Sequence, residues 1–199
     1  MCIRDRTWIE DAESAFEHLR ASSKGPYGII GLSFGGLLSL NLASLHSEEL
    51  FSVAVMSVPI RFRKFHRSVG LRFLAYFPDW FLDLLPCVDK TKRAEDVFAE
   101  KRIAFEEHSV AAGARLVQVR VKMFANLRKL KAPLLALYDP EDHHVAENSD
   151  EILKESYQGS VYREAFFPGG QHELTLGKRK DEVFVCVENF LKEQLCQES

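Results

Sequence analysis

A strand that runs directly into a helix, through a serine flanked by glycines, is the feature that most constrains the fold of this chain. Residues 27–30 form a short apolar run typical of a strand, and residues 31–36 (GLSFGG) follow at once, before a helix of small residues. The connecting turn is tight, and side chains at Gly31 or Gly35 are predicted to collide with the strand or the helix. This geometry lifts the Ser33 hydroxyl clear of the sheet at the positive end of a helix, so Ser33 is a candidate nucleophile rather than an idle turn residue.

Strand-like and helix-like segments alternate over most of the remaining chain. Residues 51–57 and 133–138 are apolar runs without polar alternation, which is typical of strands buried on both faces. A further strand is predicted at 161–167. Helices are predicted at 8–20, from the 31–36 turn to about 45, at 149–156 and at 182–195. This order predicts an α/β fold with a mostly parallel sheet of about four strands flanked by helices.

The strand pattern stops between residues 59 and 128. The segment is rich in Phe and Leu and carries helical periods, so we interpret 59–128 as a helical cap inserted into a core formed by 7–58 and 129–199. Residues 1–6 read MCIRDR, which resembles translated sequencing-adapter sequence. We therefore treat 1–6 as a non-native leader and leave it out of the fold.

Composition narrows the class of partner. Hydrophobic residues make up 46% and charged residues 28% of the 199 residues, with a net charge of −3, which suits a globular domain and not a nucleic-acid-binding surface. No run of residues is long and apolar enough for a transmembrane segment. The cysteines lack CxxC spacing, so we expect free thiols in a reducing, cytoplasmic compartment, with disulfide pairing left open. They are Cys2, Cys87, Cys186 and Cys196.

A serine nucleophile needs a base, and the base needs an orienting carboxylate. Asp142 lies in the loop after the 133–138 strand, and His172 lies in the loop after the last predicted strand. Both loops follow the carboxyl ends of strands, where catalytic residues of such sheets gather. Asp142 is the favoured acid, and Asp139 and Glu141 in the same loop are its competitors.

Metal and cofactor chemistry find no support in the sequence. His143 and His144 flank the candidate acid, but further residues with zinc-ligand spacing are missing. We therefore predict no metal site and no cofactor.

From Thr7 to about Leu195 the chain resembles the bacterial carboxylesterase and monoacylglycerol-lipase branch of the α/β-hydrolases, often described as serine aminopeptidase-like. The Gly-x-Ser-x-Gly-Gly turn, an Asp-x-x-Val loop at 142–145 and a Thr-containing apolar segment at 173–176 carry this resemblance. It implies Ser33 as nucleophile, Asp142 as acid and His172 as base, with the insert as the family's helical cap.

The chain departs from that family before Thr7, where family members carry several further strands. In family members, a loop after one of those strands donates a backbone N–H to the oxyanion hole. In this chain Phe34, the residue after Ser33, can offer the other N–H donor. Losing one such donor costs about 10²- to 10³-fold in turnover. We therefore expect an N-terminally truncated chain with weak activity and an exposed apolar edge at 27–30, derived from an active parent enzyme.

The predicted function is hydrolysis of carboxylic esters through an acyl-enzyme on Ser33. The predicted partner is a small ester with an apolar acyl or alkyl group, such as a monoglyceride, because the insert is rich in aromatic residues. Packing of the cap on the core explains these aromatics equally well. Thioesterase, peptidase, acyltransferase and an inactive fragment remain alternatives, and the oligomeric state is not predicted. The aromatics are Phe65, Phe73, Phe77, Trp80 and Phe81.

Overall fold

The computed structural model describes residues 7–61, 70, 72–82, 84–85, 87–89 and 107–197. Its helices are α1 (Thr7–Ser22), α2 (Phe34–Leu45), α3 (Asp79–Leu82), α4 (Val110–Leu127), α5 (Ser149–Ser156) and α6 (Lys180–Gln197), and a short 3-10 helix spans Ser47–Glu49. Its strands are β1 (Tyr27–Leu32), β2 (Leu50–Met56), β3 (Cys87–Asp89), β4 (Glu107–Ser109), β5 (Leu134–Tyr138) and β6 (Tyr162–Phe166).

A parallel sheet of four strands in the order β1-β2-β5-β6 forms the centre of the fold. The register pairs Leu32 with Met56 and Met56 with Leu137, so these strands end together at one edge of the sheet. Tyr138 pairs with Phe166 at the same edge. The predicted α/β fold with about four parallel strands is confirmed, and the loops that carry the candidate site residues all leave from this edge.

Helices cover both faces of the sheet, which explains why the central strands lack polar alternation. On one face, residues of α2 and α4 such as Leu40 and Met123 pack on β2 and β5. On the other face, Val187 and Phe190 of α6 pack against Leu135. None of the helices in the described ranges is both long enough and apolar enough to cross a membrane.

Strand β1 is the exception to this two-sided burial. Among the described residues it pairs only with β2, and its residues alternate between less and more exposed positions. Ile30 is 52% exposed. It lines a shallow apolar groove together with Phe184 and Leu191 of α6.

The 59–128 segment contains more than helices. β3 and β4 form a short antiparallel ribbon, with Val88 paired to His108. The sequence did not predict it, because three-residue strands are too short to show a period. Residues 94–105, where the sequence also predicts a helix, lie outside the described residues. α4 links two clusters, since Ala114 packs with Leu82 whereas Met123 belongs to the main core. The boundary between core and cap stays a prediction.

Candidate active site

Ser33 lies between β1 and α2 in a strained backbone conformation, with φ 53° and ψ −117°. Positive φ costs a non-glycine residue on the order of 1–3 kcal/mol and persists only where the surroundings fix it. Here the Ser33 N–H donates to the Met56 carbonyl (2.7 Å), and the Ser33 carbonyl accepts from the N–H groups of Gly36 (3.0 Å) and Leu37 (3.3 Å). Strand β2 and the first turn of α2 therefore hold the turn from both sides.

Two of the three glycines around Ser33 are sterically required. A Cβ on Gly31 would lie 2.3 Å from Ser39 Oγ and 2.6 Å from the Gly35 carbonyl oxygen. A Cβ on Gly36 would lie 2.4 Å from Val58 Cγ2. A Cβ on Gly35 would meet nothing within 4 Å. The predicted collision at Gly35 is therefore wrong, because its Cα–Cβ direction leads away from strand and helix, and the crowded position is the next glycine along.

His172 reaches Ser33 from the loop that follows β6. Its Nε2 lies 2.7 Å from Ser33 Oγ. The loop turns through two residues with positive φ, Gly169 (74°) and Gln171 (65°). The Phe167 N–H donates to the Tyr138 carbonyl (2.8 Å), so the start of this loop is fixed to the end of β5.

Asp142 completes the arrangement from the loop after β5. One carboxylate oxygen, Oδ2, lies 2.7 Å from His172 Nδ1. The other, Oδ1, accepts the backbone N–H groups of His144 (2.7 Å) and Val145 (3.3 Å). The side chain is buried, and these three hydrogen bonds to its two oxygens fix the carboxylate plane.

The competing carboxylates in this loop have other surroundings. Asp139 accepts backbone N–H groups from Glu141 (2.9 Å) and Gln171 (2.6 Å), and the Glu141 side chain is exposed. Of the three candidates, Asp142 is the carboxylate that the structure places against the imidazole of His172.

The environment of Asp142 stabilises its charged form. Burial is the largest single influence and acts to raise the pKa of this carboxyl group. The hydrogen bond and charge of His172, with the N–H groups of His144 and Val145, act in the opposite direction and together outweigh it. The pKa of Asp142 therefore lies below its ordinary value, and the group is ionised at neutral pH.

The ionised state of Asp142 determines the tautomer of His172. A carboxylate only accepts hydrogen bonds, so Nδ1 of His172 carries the proton that faces Asp142. In the neutral imidazole Nε2 is then an acceptor, and the Ser33 hydroxyl donates to it. The arrangement can withdraw a proton from Ser33 while the resulting imidazolium stays paired with a carboxylate.

Two neighbouring groups complete the surroundings. Phe34 is the first residue of α2, and N–H groups in the first turn of a helix have no intrahelical acceptor. The Phe34 ring packs edge-on against Trp8, with centroids 4.5 Å apart. The His144 ring lies 4.7 Å from that of His172. Within the described ranges, no group of three metal-ligating side chains accompanies His144.

The sequence did not identify Gln171 and Asp139 as residues that support the loops around His172 and Asp142. Asp139 is the first residue of an Asp-Pro-Glu turn, and its side chain accepts the backbone N–H of Glu141. Asp commonly makes this bond to the residue two positions on in turns. That signal was present in the sequence. The positive φ of Gln171 had no sequence signal, because Gly, Asn and Asp are the residues usually found in this conformation.

A family model described as "Serine aminopeptidase, S33" matches residues 4–179. No curated protein matches the chain. Among solved structures, a chain from the study of LipS and LipT, two metagenome-derived lipolytic enzymes, shares 22% identity and superposes with a TM-score of 0.77, covering 96% of this chain and 74% of its own. The monoacylglycerol lipase of Paleococcus ferrophilus shares 16% identity with a TM-score of 0.76, covering 96% of this chain and 76% of its own. A soluble variant of monoglyceride lipase from Saccharomyces cerevisiae, in complex with a substrate analog, shares 14% identity with a TM-score of 0.72, covering 95% and 68%.

Proposed function

Because the chain belongs to the serine aminopeptidase family of α/β-hydrolases, we propose that it is a serine hydrolase that cleaves carboxylic esters through an acyl-enzyme on Ser33. One observation carries the proposal. The His172 ring bridges the Ser33 hydroxyl and the Asp142 carboxylate, with 2.7 Å on each side. A serine hydroxyl, an imidazole and an ionised carboxylate in series are the groups that acyl transfer by a serine hydrolase requires.

In the proposed reaction His172 acts first as base and then as acid. Nε2 takes the Ser33 proton while Oγ attacks the ester carbonyl carbon, and the carbonyl oxygen becomes an oxyanion. Nε2 then gives that proton to the departing alcohol as the C–O bond breaks, leaving the acyl group on Oγ. A water molecule repeats the cycle and releases the carboxylic acid, while Asp142 stabilises the imidazolium throughout.

The oxyanion needs N–H donors. We propose the Phe34 N–H as one of them, because it follows Ser33 directly at the start of α2, where the helix dipole also favours negative charge. The packing of Trp8 against the Phe34 ring holds this residue in place.

The proposed substrate carries an apolar acyl or alkyl group. The solved structures similar to this chain include a monoacylglycerol lipase and a monoglyceride lipase. In the described part of the proposed cap, Phe77 stacks on Phe81 (centroids 4.5 Å apart), and Phe73 and Trp80 remain 67% and 68% exposed. Exposed aromatic side chains of this kind suit contact with a hydrocarbon chain. Phe65 lies outside the described residues.

An amide substrate is the second candidate, because the family description itself names aminopeptidases. The same three side chains cleave amides when the base protonates the departing amine. Parallel assays with p-nitrophenyl esters of increasing chain length and with aminoacyl p-nitroanilides separate the two candidates.

The proposed function is tested at Ser33. We expect the chain to hydrolyse short or medium p-nitrophenyl esters and to react with a fluorophosphonate probe at this residue. Ser33→Ala should abolish both, since it removes the oxygen that forms the covalent bond. Ser23→Ala, at an exposed position after α1, is the matched control and should keep both. Labelling that survives Ser33→Ala would place the nucleophile elsewhere and contradict the proposal.

A further inference from the structure

Asp139 is a second buried carboxylate beside the site, and its bonds join the two loops that carry the acid and the base. It is the first residue after β5 and is 5% exposed. Its Oδ2 accepts the Gln171 N–H at 2.6 Å, and its Oδ1 accepts the Glu141 N–H at 2.9 Å. Its backbone carbonyl also accepts the Asp142 N–H at 3.1 Å. One residue therefore fixes backbone positions in both loops.

The bond to Gln171 lies at a strained backbone position in the loop that carries His172. Gln171 has φ 65°, a conformation that glycine adopts easily and glutamine adopts rarely. His172 is the next residue, so rotation about the Gln171 backbone swings the imidazole away from Ser33. The Gln171 N–H donates a short hydrogen bond to Asp139 Oδ2, and this bond restrains the rotation.

We infer that Asp139 is a positioning residue for the proposed reaction. It holds Gln171 in the left-handed conformation and thereby keeps the His172 imidazole between Ser33 and Asp142. Both carboxylate oxygens of Asp139 accept backbone N–H groups, so it acts on His172 through the Gln171 backbone. This inference rests on the proposed function of Ser33, Asp142 and His172.

The first test replaces the carboxylate with a group of the same shape. Asp139→Asn keeps one acceptor oxygen but presents an NH₂ group to one of two backbone N–H donors. We expect the rate of fluorophosphonate labelling at Ser33 to fall about 10- to 100-fold, because displacements near 1 Å at reacting groups have effects of that order. Glu141→Gln, at an exposed side chain in the same loop, is the control and should label within about 2-fold of the unchanged chain.

The second test is rescue at Gln171. Glycine adopts positive φ without the steric cost, so adding Gln171→Gly to the Asp139→Asn variant should recover about half or more of the logarithmic loss in labelling rate. If Asp139 only stabilised the loop that carries Asp142, a change at position 171 would not restore the labelling rate. Circular dichroism of each variant checks that it is folded.

A spectroscopic measurement separates this inference from the proposed function. The Nδ1 proton of His172, in its 2.7 Å bond to Asp142, should give a strongly deshielded proton resonance. We expect Asp139→Asn to weaken or shift that resonance and Gln171→Gly to restore it. If the unchanged chain shows the resonance but does not react with the fluorophosphonate probe, the proposed ester hydrolysis is contradicted. The effect of Asp139→Asn on the resonance then still tests the positioning of His172. An unchanged resonance and labelling rate in folded Asp139→Asn would overturn the inference.

Discussion

Asp142 and Glu141 are neighbours in sequence with opposite surroundings. Asp142 is buried with acceptor bonds from His172, His144 and Val145, whereas Glu141 projects into solvent. The Asp-x-x-Val pattern at 142–145, which the chain shares with the family it resembles, favoured Asp142. It could not exclude Glu141, because the direction of a side chain in a loop depends on backbone angles that a sequence does not specify.

The lowered pKa of Asp142 predicts how stability depends on pH. A carboxyl group whose pKa is lower in the folded chain contributes stability above its unfolded pKa, and this contribution is lost as pH falls through the folded pKa. We expect the folded chain to be more stable than Asp142→Asn at neutral pH, with the gap narrowing in acid. Urea unfolding followed by circular dichroism across the range from about pH 7 to about pH 3 measures it.

Glu141→Gln is the control for this titration. Its carboxylate is exposed, so its removal should leave the shape of the stability curve unchanged. A gap between the unchanged chain and Asp142→Asn that stays constant from neutral to acid pH would contradict the lowered pKa.

At the scale of elements, the junction of β1 and α2 depends on glycine in a position-specific way. Gly31→Ala places a methyl group against the Gly35 backbone, which cannot move without shifting α2, and should cost on the order of 1–3 kcal/mol. Gly35→Ala meets no atom within 4 Å and lies in a helix, where alanine is preferred, so it should be neutral or stabilise by up to about 1 kcal/mol. Denaturant unfolding of the two variants measures both values. Equal destabilisation by the two variants would show that the packing of this junction is not as described.

Elements that are long or fully buried were predictable from sequence. β2 and β5 are buried along nearly their whole length, and the lack of polar alternation in their sequences predicted it. The β3–β4 ribbon was missed because its strands have three residues each. The packing of Met123 in the main core was also missed, since a helical period shows that one face is apolar but not which neighbour it meets.

At the scale of the whole molecule, the exposed side of β1 predicts self-association. Ile30, at 52% exposure, adjoins the apolar groove against α6, and unpaired strand edges recruit other strands. We expect Ile30→Lys to raise the soluble fraction and to reduce large species in light scattering. Val121→Lys, at a 57% exposed position on α4, is the matched control and should change neither. Equal gains from both variants would assign the effect to net charge instead of the strand edge.

The large sequence separation between Ser33 and His172 has a consequence for folding kinetics. The two residues are 139 positions apart in sequence, while Asp142 and His172 are 30 apart. Closing a loop of that length is slow, and it requires β6 to have docked on β5. A chain that has formed only β1, β2 and α2 contains Ser33 but lacks the contact with His172. If Ser33 reacts as proposed, a covalent probe should therefore count the molecules in which β6 has docked rather than all polypeptide chains.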